Sequence, residues 1–307
     1  MSLNFNNIRV LLIGDFMIDK YVYGQSVRMS PEAPVPVLIP ERSYSMPGGA
    51  GNVALNLSSL GASVSCVGYV GSDREGDELI NFLQKNGIDT KHIYKTKFQT
   101  TSKKRFYSNG KQVLRVDNEE IIKNWSPPSL AELKINRYDL IILSDYNKGV
   151  LNNSWFSKIQ SENIFVDPKK NDFSFYSNAD IITPNLNELE RAVGKKIKDD
   201  KTLISVCKKM VMDLNLKFIV AKQGERGMTI VGQEGFFKTF EAHHIDNPDV
   251  TGAGDTVISV FSLAYTKTRN ADKSAKIANA AAASAVSKPG TATVTIDDIN
   301  KYIKIDE

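Results

Sequence analysis

The alternation of short apolar runs with helical patterns constrains the fold of this chain more than any other feature of its sequence. Apolar, β-branched runs that are nearly free of polar residues indicate strands buried on both faces of a sheet. Such runs cover residues 8–13, 64–70, 140–143, 164–166, 181–182 and 218–220. Apolar residues follow at helical spacing in residues 52–60, 187–193 and 200–214. The alternation predicts an α/β fold with a doubly wound, mostly parallel sheet and helices on both faces.

Two segments depart from this alternation and predict a small antiparallel sheet attached to the main body. In residues 35–39, Val35, Val37 and Ile39 occupy alternate positions, and prolines flank the run, which is typical of an edge strand. Within residues 103–116, an Asn-Gly pair separates two alternating segments, which is a strong hairpin signal. One face of that hairpin carries Lys103, Arg105 and Tyr107 and would suit a lid over an anionic ligand. Taken alone, the hairpin favours the simpler interpretation of a solvated face.

Length and composition favour one globular unit. The 307 residues are 41% hydrophobic and 24% charged, and no repeat or long linker divides them. We therefore expect a single domain over residues 1–307, with lid segments at about 16–46 and 97–117. The net charge of +4 is too small to argue for a nucleic-acid partner, but it suits a site for anionic substrates.

The cysteines, the histidines and the hydropathy favour a cytoplasmic protein. Cys66 and Cys207 are far apart in apolar or helical settings, as expected of reduced core thiols. His92, His243 and His244 lack metal-ligand spacing with these cysteines, so we expect no zinc site. The N-terminus is polar rather than signal-like, and no apolar run approaches the ~20 residues that span a membrane.

The most informative motif is Asp-Val-Thr-Gly-Ala-Gly-Asp-Thr at residues 249–256, which leads into an apolar helical segment. Backbone N–H groups are exposed at the positive end of a helix dipole, so those of Gly252, Ala253 and Gly254 could hold a transferring phosphoryl group. Asp255 could take the proton of an attacking hydroxyl. A lone aspartate here could merely cap the helix, but the full motif favours the catalytic interpretation.

A second glycine-rich loop contains Gly48 and Gly49 and also leads into a helix. These glycines would let the backbone approach a ligand closely, and Asn52 could hydrogen-bond to sugar hydroxyls. Asp15 and Asp19 follow the first strand, at the edge where open α/β sheets bind ligands. Their carboxylates could accept hydrogen bonds from a polyhydroxylated substrate, although either one taken singly could be a turn or cap residue.

Two further patterns allow alternative interpretations. Asn185 and Glu188 lie three residues apart at the start of a helix, where they could position Mg²⁺ or form a capping box. On spacing alone the capping box is favoured. Lys222, Gly224 and Gly227 follow a strand and could contact nucleotide phosphates or simply form a hairpin turn.

These motifs occur in the order and spacing of ribokinase-like (PfkB) sugar kinases, which the chain resembles over essentially its whole length. The residues that carry the resemblance are the Gly48-Gly49-Ala-x-Asn52 segment, Asn185-x-x-Glu188 and the motif ending in Asp255. The chain lacks a P-loop and a Gly-x-Gly-x-x-Gly motif after the first strand, which disfavours a P-loop kinase and a dinucleotide-dependent oxidoreductase. The resemblance implies a ribokinase-like fold and transfer of the γ-phosphoryl group of ATP to a sugar hydroxyl.

The resemblance also implies roles for individual residues. For phosphoryl transfer it implies Asp255 as the base, with an anion hole formed by Gly252, Ala253 and Gly254. For the nucleotide and Mg²⁺ it implies Asn185, Glu188, Lys222, Gly224, Gly227 and Asn279. For the sugar hydroxyls it implies Asp15, Asp19, Gly48, Gly49 and Asn52.

Four segments resemble bacterial D-glycero-β-D-manno-heptose-7-phosphate kinases more narrowly. They are residues 28–37, Ser-Asp-Tyr-Asn-Lys-Gly at 144–149, Asp-Pro-Lys at 167–169 and Gly-Asp-x-Met-x-Asp at 14–19. The implied reaction phosphorylates O1 of the heptose phosphate and gives the 1,7-bisphosphate. A phosphorylated acceptor needs cations, and charge-assisted contacts from lysine or arginine are comparatively strong. The candidates, of which we expect about two or three to be contacts, are Arg28, Lys103, Arg105, Lys148 and Lys169. Lys148 and Lys169 are favoured among them, because each follows a buried strand at its carboxyl end.

In many bacteria such a kinase is fused to a nucleotidyltransferase. This chain has no His-x-Gly-His motif, so we expect the kinase alone.

Related enzymes often use a monovalent cation near the loop after Asp246, to which we assign no ligands. Exposed edges of a sheet tend to pair with other strands, and we expect a homodimer formed through the lid.

The alternatives to a heptose-7-phosphate kinase are another PfkB specificity, such as ribokinase, fructokinase or phosphofructokinase, and a catalytically silent sugar- or nucleotide-binding regulator. A Rossmann-type oxidoreductase is a more distant alternative.

Overall fold

The computed structural model describes residues 3–122, 125–151, 153–156 and 158–303, so the ends of the expected domain lie outside the described residues. In chain order, the strands are β1 (Arg9–Gly14), β2 (Phe16–Met29), β3 (Pro36–Gly49), β4 (Ser63–Gly71), β5 (Asp89–Thr96), β6 (Thr101–Ser108), β7 (Lys111–Asn118), β8 (Leu140–Ser144), β9 (Ile164–Asp167), β10 (Ile181–Ile182), β11 (Phe218–Lys222), β12 (Met228–Gly232) and β13 (Phe237–Phe240). The helices are α1 (Ala50–Ser59), α2 (Arg74–Lys85), α3 (Leu130–Leu133), α4 (Asn153–Phe156), α5 (Leu186–Val193), α6 (Asp200–Asp213), α7 (Ala253–Thr268), α8 (Ala271–Val286) and α9 (Ile296–Ile303).

The described residues form one nine-stranded sheet in the order β13-β12-β11-β10-β9-β8-β1-β4-β5. Strands from β5 to β11 pair in parallel, and β12 and β13 are added antiparallel at one edge. All six strands predicted from the apolar runs are present, as are the three predicted helices. The predicted fold class, a mostly parallel doubly wound sheet, is therefore confirmed.

Both faces of the sheet are covered, which explains the uninterrupted apolar runs. In β1, Val10 and Leu12 pack into one hydrophobic core, to which α1, α7 and α8 contribute. Leu11 and Ile13, which point the opposite way, pack into a second core with residues of α5 and α6. Alternate side chains of a strand face opposite sides of a sheet, so a strand between two cores must be apolar throughout.

A second sheet of four strands, in the order β3-β2-β6-β7, stands beside the main sheet and is called the lid here. Its two hairpins are antiparallel, as expected, and Asn109 and Gly110 both have positive φ in the β6–β7 turn. The inner strands β2 and β6 nevertheless pair in parallel, which the expectation of an antiparallel sheet did not include. The reason is that β2 continues from β1 and β6 follows β5, two strands that run in the same direction.

Neither cysteine forms a disulfide, and burial raises the pKa of both the Cys66 and Cys207 thiols. Within the described part of the chain, no helix combines the length and apolar character needed to cross a bilayer.

Candidate active site

The carboxyl ends of the parallel strands, the base of the lid and the N-terminus of α7 meet at one edge of the main sheet. Asp15 follows β1, Tyr146 follows β8, and Asp167 and Lys222 end β9 and β11. Because ligands of open α/β sheets bind outside the carboxyl ends of the strands, this edge is the candidate active site.

Asp255, in the first turn of α7, is the central side chain of the site. It is buried, and its two carboxylate oxygens accept hydrogen bonds from different parts of the chain. Asn52 Nδ2 donates to Oδ2 at 2.8 Å, and Tyr146 Oη donates to Oδ1 at 2.7 Å. Both of these donors are side chains from outside α7, rather than N–H groups of its first turn. Asp255 is therefore held by side chains rather than used to terminate a helix.

Burial raises the pKa of Asp255 to about 7, although the hydrogen bonds from Asn52 and Tyr146 and the ammonium group of Lys222 favour its charged form. The carboxylate of Asp167 acts in the same direction as burial. A carboxyl group with such a pKa can accept a proton near neutral pH, as a general base must.

The N-terminus of α7 forms a positive surface beside this carboxylate. Gly252 has φ of 77°, and a Cβ atom there would lie 2.5 Å from Asn52 Nδ2, so only glycine fits. Gly254 faces Lys222, whose Nζ would lie 3.1 Å from a Cβ at that position. The helix dipole and a lysine therefore point at the same space, where an anion would be stabilised.

Lys222 is itself held by a carboxylate. Its Nζ lies 2.5 Å from Asp167 Oδ1, and that oxygen also accepts a hydrogen bond from Thr183. Burial alone would lower the pKa of Lys222, but Asp167 and Glu188 keep it above its usual value. The lysine is thus fully charged at the site.

Asp19 and Arg105 form a buried ion pair between neighbouring lid strands, with Nη1 and Oδ1 2.6 Å apart. Gly48 packs against this pair, because a Cβ there would lie 2.3 Å from Asp19 Oδ2. Gly49 has positive φ, and a Cβ there would meet the Asp15 carbonyl oxygen at 2.7 Å. These glycines allow the lid to join the main body closely.

The carboxylate of Asp15, for which we expect contact with sugar hydroxyls, binds backbone N–H groups of the chain instead. It is buried, and its carboxylate accepts hydrogen bonds from the backbone N–H groups of Tyr146, Lys148 and Val150 at 2.8, 3.0 and 3.2 Å. Burial, with the nearby Asp145, raises the pKa of Asp15 to about 6. The structure thus places Asp15 as the anchor of the loop that carries Tyr146.

Asn185 and Glu188 form the capping box that their spacing favours. The Asn185 side chain accepts from Glu188 N at 2.9 Å, and Glu188 Oε2 accepts from Asn185 N at 2.8 Å. Glu188 Oε1 contacts the ammonium group of Lys169 at 3.1 Å. The pair is therefore a helix cap whose carboxylate also faces the charged groups of the site.

The five candidate cations are in different environments. Lys148 and Lys169 are paired with Glu119 and Glu188, and Arg105 is paired with Asp19. Lys103 Nζ instead lies over the Tyr146 ring, 5.5 Å from its centroid. Arg28 is exposed near the far end of β2, about 30 Å along the strand from Asp19 at ~3.3 Å per residue, so it lies away from this site.

The residues expected to frame the nucleotide lie near one another. Gly224 and Gly227 form the turn between β11 and β12, both with positive φ. A Cβ at Gly227 would meet the Phe240 carbonyl oxygen at 2.0 Å. Asn279 in α8 donates to the next carbonyl oxygen, that of Glu241, at 2.7 Å. The segment after β13 therefore links the turn to α8.

Sequence reasoning gave no role to Tyr146 or Asp167, which contact Asp255 and Lys222 respectively. Both residues follow predicted strands at their carboxyl ends, where ligands of open α/β sheets bind, and this position could have indicated a role in the site. Their partners lie more than fifty residues away in the chain, so the contacts themselves are visible only in the folded protein.

Comparison with known proteins identifies the class that this fold and site define. The model of the pfkB family carbohydrate kinases matches residues 7–298, and the chain belongs to that family. The predicted class of enzyme, a carbohydrate kinase, is thereby confirmed.

The relatives give a narrower comparison. The Bifunctional protein HldE of Coxiella burnetii (strain Dugway 5J108-111) is 36% identical over 306 residues, which are 97% of this chain and 64% of the relative. The protein of the same name from Sulfurimonas denitrificans is 40% identical over 306 residues, with 96% of this chain and 64% of the relative covered. The chain thus spans less than two thirds of the length of these curated relatives.

Solved structures share the fold at lower identity. Phosphofructokinase-2 from Escherichia coli in complex with potassium superposes with a TM-score of 0.79 at 18% identity, covering 97% of this chain and 98% of that one. Arabidopsis thaliana ribokinase complexed with ribose and ATP gives a TM-score of 0.76 at 17% identity, with the same coverage. The ribokinase-like fold expected from the motifs is therefore confirmed.

Proposed function

We propose that the chain phosphorylates D-glycero-β-D-manno-heptose 7-phosphate at O1, with ATP as donor, to give the 1,7-bisphosphate. The observation that carries the kinase chemistry is the placement of a buried Asp255, with a pKa of about 7, beside the N-terminus of α7. The choice of a heptose phosphate rests on the resemblance of residues 28–37 and 144–149 to heptose-7-phosphate kinases.

The chemistry follows from the geometry. Asp255 accepts the proton of the acceptor hydroxyl as its oxygen attacks the γ-phosphorus of ATP. A new O–P bond forms, the bond from the γ-phosphorus to the bridging oxygen breaks, and ADP leaves. The N–H groups of Gly252 and Gly254, with the Lys222 ammonium group, stabilise the charge on the transferred group. The N–H of Ala253, the third expected donor, instead donates to the Val250 carbonyl oxygen at 3.3 Å in this structure.

Mg²⁺ is expected with ATP, and the residues present fit it. Within the described residues, no group of three or more His, Cys, Asp or Glu side chains is arranged to hold a metal ion. Mg²⁺ is commonly bound by one or two carboxylates, water and substrate phosphates rather than by a protein cage. Glu188 would hold it, largely through water, with Asn185 fixing that carboxylate. When bound, Mg²⁺ neutralises charge on the phosphates. The monovalent cation stays a prediction without assigned ligands.

Lys103 is now the favoured cation for the acceptor phosphate, in place of Lys148 and Lys169, which are paired with glutamates. Its ammonium group faces an aromatic ring rather than a paired carboxylate, and that ring belongs to the tyrosine that contacts Asp255. Burial lowers the pKa of Lys103, whereas Asp19, Glu119 and Asp117 raise it. A phosphate at this position would supply the anion that the desolvated lysine favours.

The test is coupled ADP release with ATP and Mg²⁺, comparing the heptose 7-phosphate with ribose, fructose and fructose 6-phosphate. Turnover of the heptose phosphate alone supports the proposal. Turnover of a different acceptor keeps the kinase and overturns the specificity. Absence of turnover with all four would favour a catalytically silent regulator on the same fold.

A further inference from the structure

One phenol contacts the proposed base directly, although the mechanism above gives it no role. Tyr146 lies in the loop after β8, and its Oη donates to Asp255 Oδ1 at 2.7 Å. The other carboxylate oxygen accepts from Asn52 at 2.8 Å. Two donors from different elements therefore fix both the position and the rotation of the carboxylate.

The position of the phenol is itself fixed from two sides. The backbone N–H of Tyr146 donates to Asp15 Oδ2 at 2.8 Å, and Asp15 also binds the N–H groups of Lys148 and Val150. From the lid, Lys103 Nζ lies over the ring, 5.5 Å from its centroid. The buried anchor and the lid thus hold the ring where its hydroxyl reaches Asp255.

We infer that Tyr146 is a positioning residue, whose phenol hydroxyl orients the Asp255 carboxylate toward the acceptor and stabilises its ionised form. The inference rests on the proposed function, in which Asp255 is the base. It also accounts for the buried Asp15, whose three backbone hydrogen bonds hold the Tyr146 loop in place.

The groups that face Asp255 determine the direction of the effect. Asn52, Tyr146 and Lys222 lower the pKa of the carboxyl group, and burial and Asp167 raise it. Removing the phenol hydroxyl leaves burial and Asp167 opposed by fewer groups, so the pKa of Asp255 rises. Tyr146 cannot replace Asp255 as the base, because burial and the neighbouring Asp255, Asp167 and Asp19 hold the phenol pKa well above its usual value.

The decisive experiment is the pH profile of kcat for Tyr146→Phe, which keeps the ring under Lys103 and removes only the hydroxyl. We expect the acidic limb to move upward by about one pH unit, since a hydrogen bond to a charged group is worth about one pKa unit or more. Activity at pH 7 then falls about fivefold, approaches a tenfold loss at more acidic pH and recovers largely at alkaline pH. ATP affinity, measured by calorimetry, is unchanged.

A matched control is Tyr69→Phe. The Tyr69 hydroxyl donates to the Lys148 carbonyl oxygen at 2.5 Å, so it supports the same loop without contacting Asp255. Its variant should leave the acidic limb where it is in the wild type. A Tyr146→Phe profile that is lowered equally at every pH, or that matches Tyr69→Phe, would show a merely structural role and overturn the inference.

Incorporation of 3-fluorotyrosine at position 146 gives an independent arm that preserves the fold. The fluorinated phenol is a stronger donor, so the acidic limb should move to lower pH, opposite to the Phe variant. An unmoved limb contradicts the inference even if Tyr146→Phe fails to fold. All profiles use whichever acceptor the wild type phosphorylates. An active Asp255→Asn enzyme would instead refute the proposed base, so the two failures are distinguishable.

Discussion

The pKa of Asp255 is determined by groups that act on its carboxylate in opposite directions. Burial disfavours the charged form, while two hydrogen bonds and the Lys222 ammonium group favour it. With the resulting pKa of about 7, the group is ionised in a large fraction of molecules near neutral pH. It is also basic enough to accept a proton. The partners Asn52 and Tyr146 therefore help to set the pH range in which the carboxylate can act as the base.

Replacing Asp255 by Asn should lower kcat by about 10²–10⁴, because general-base catalysis is lost while the shape of the side chain is kept. ATP binding should change little, since the N–H groups of α7 and Lys222 remain. Steady-state kinetics and titration calorimetry measure the two effects. Asp199→Asn is the control, because the Asp199 side chain caps α6 by accepting from Thr202 N and asparagine caps equally well. An unimpaired Asp255→Asn enzyme would remove the assignment of the base.

The wild-type pH profile should show the titration of the same group. The carboxyl group must be deprotonated to act, so kcat should fall about tenfold for each pH unit below the pKa of about 7. Above that pKa, the rate should level off. Measurement of kcat at saturating substrates tests this, and the residual activity of Asp255→Asn should lack the acidic limb. A wild-type rate that is constant down to mildly acidic pH would contradict the raised pKa.

At the scale of elements, the N-terminus of α7 depends on the close approach of α1. Gly252 has φ of 77° and lies against Asn52, which is fully buried in α1 and holds Asp255. A side chain at Gly252 would push Asn52 away from the base. The two helices therefore position the catalytic group jointly, and neither does so alone.

Gly252→Ala tests this joint positioning. Positive φ costs an alanine about 1–2 kcal/mol, and the added Cβ also displaces Asn52, so we expect kcat to fall by about tenfold or more. Gly87→Ala is the matched control, since Gly87 has φ of 73° with open space around its Cβ position. In a melting experiment, Gly87→Ala should lose only the stability that its positive φ costs, and Gly252→Ala should lose more because of the added contact with Asn52. Equal activities of the two variants would show that α1 and α7 need no close contact for catalysis.

The elements of the main sheet could be predicted from sequence because burial on both faces leaves continuous apolar runs, as in β1. The parallel pairing of β2 with β6 could not, since it depends on where β1 and β5 lie in the sheet. For the site, the glycine-rich motif indicated Asp255. The backbone contacts of Asp15 depend on a loop 131 or more residues away, which no local pattern reveals.

The two faces of β6 offer a test of the lid as part of the acceptor site. Lys103 faces Tyr146, whereas the adjacent Lys104 is exposed on the opposite face and lies over the Phe106 ring. Lys103→Met should raise the KM for the phosphorylated acceptor about 10–100-fold, because a charge-assisted contact is worth about 1.5–3 kcal/mol. Lys104→Met should leave this KM unchanged. If both variants behave alike, the acceptor phosphate is bound elsewhere.

At the scale of the whole molecule, the lid has two edges that pair with no further strand of the described residues, and it also has an exposed apolar surface. Strand β7 is exposed along its full length, and β3 forms the opposite edge. Val113, Leu114 and Val116 are each about half exposed, at 53%, 54% and 48%. Unpaired strand edges with apolar side chains readily associate, and the charged face of the lid is turned toward the active site. The uncovered face is therefore available to a second copy of the chain.

We expect the protein to be a homodimer at micromolar concentration, with the two lids in contact. Leu114→Glu should shift it toward the monomer, because dimerisation would bury an unpaired carboxylate. Phe237→Glu is the control, since Phe237 is 51% exposed on β13, at the edge of the main sheet rather than in the lid. Light scattering after size-exclusion chromatography gives the mass of each variant. A wild-type monomer would exclude the association. A dimer that Phe237→Glu disrupts and Leu114→Glu does not would locate the association outside the lid.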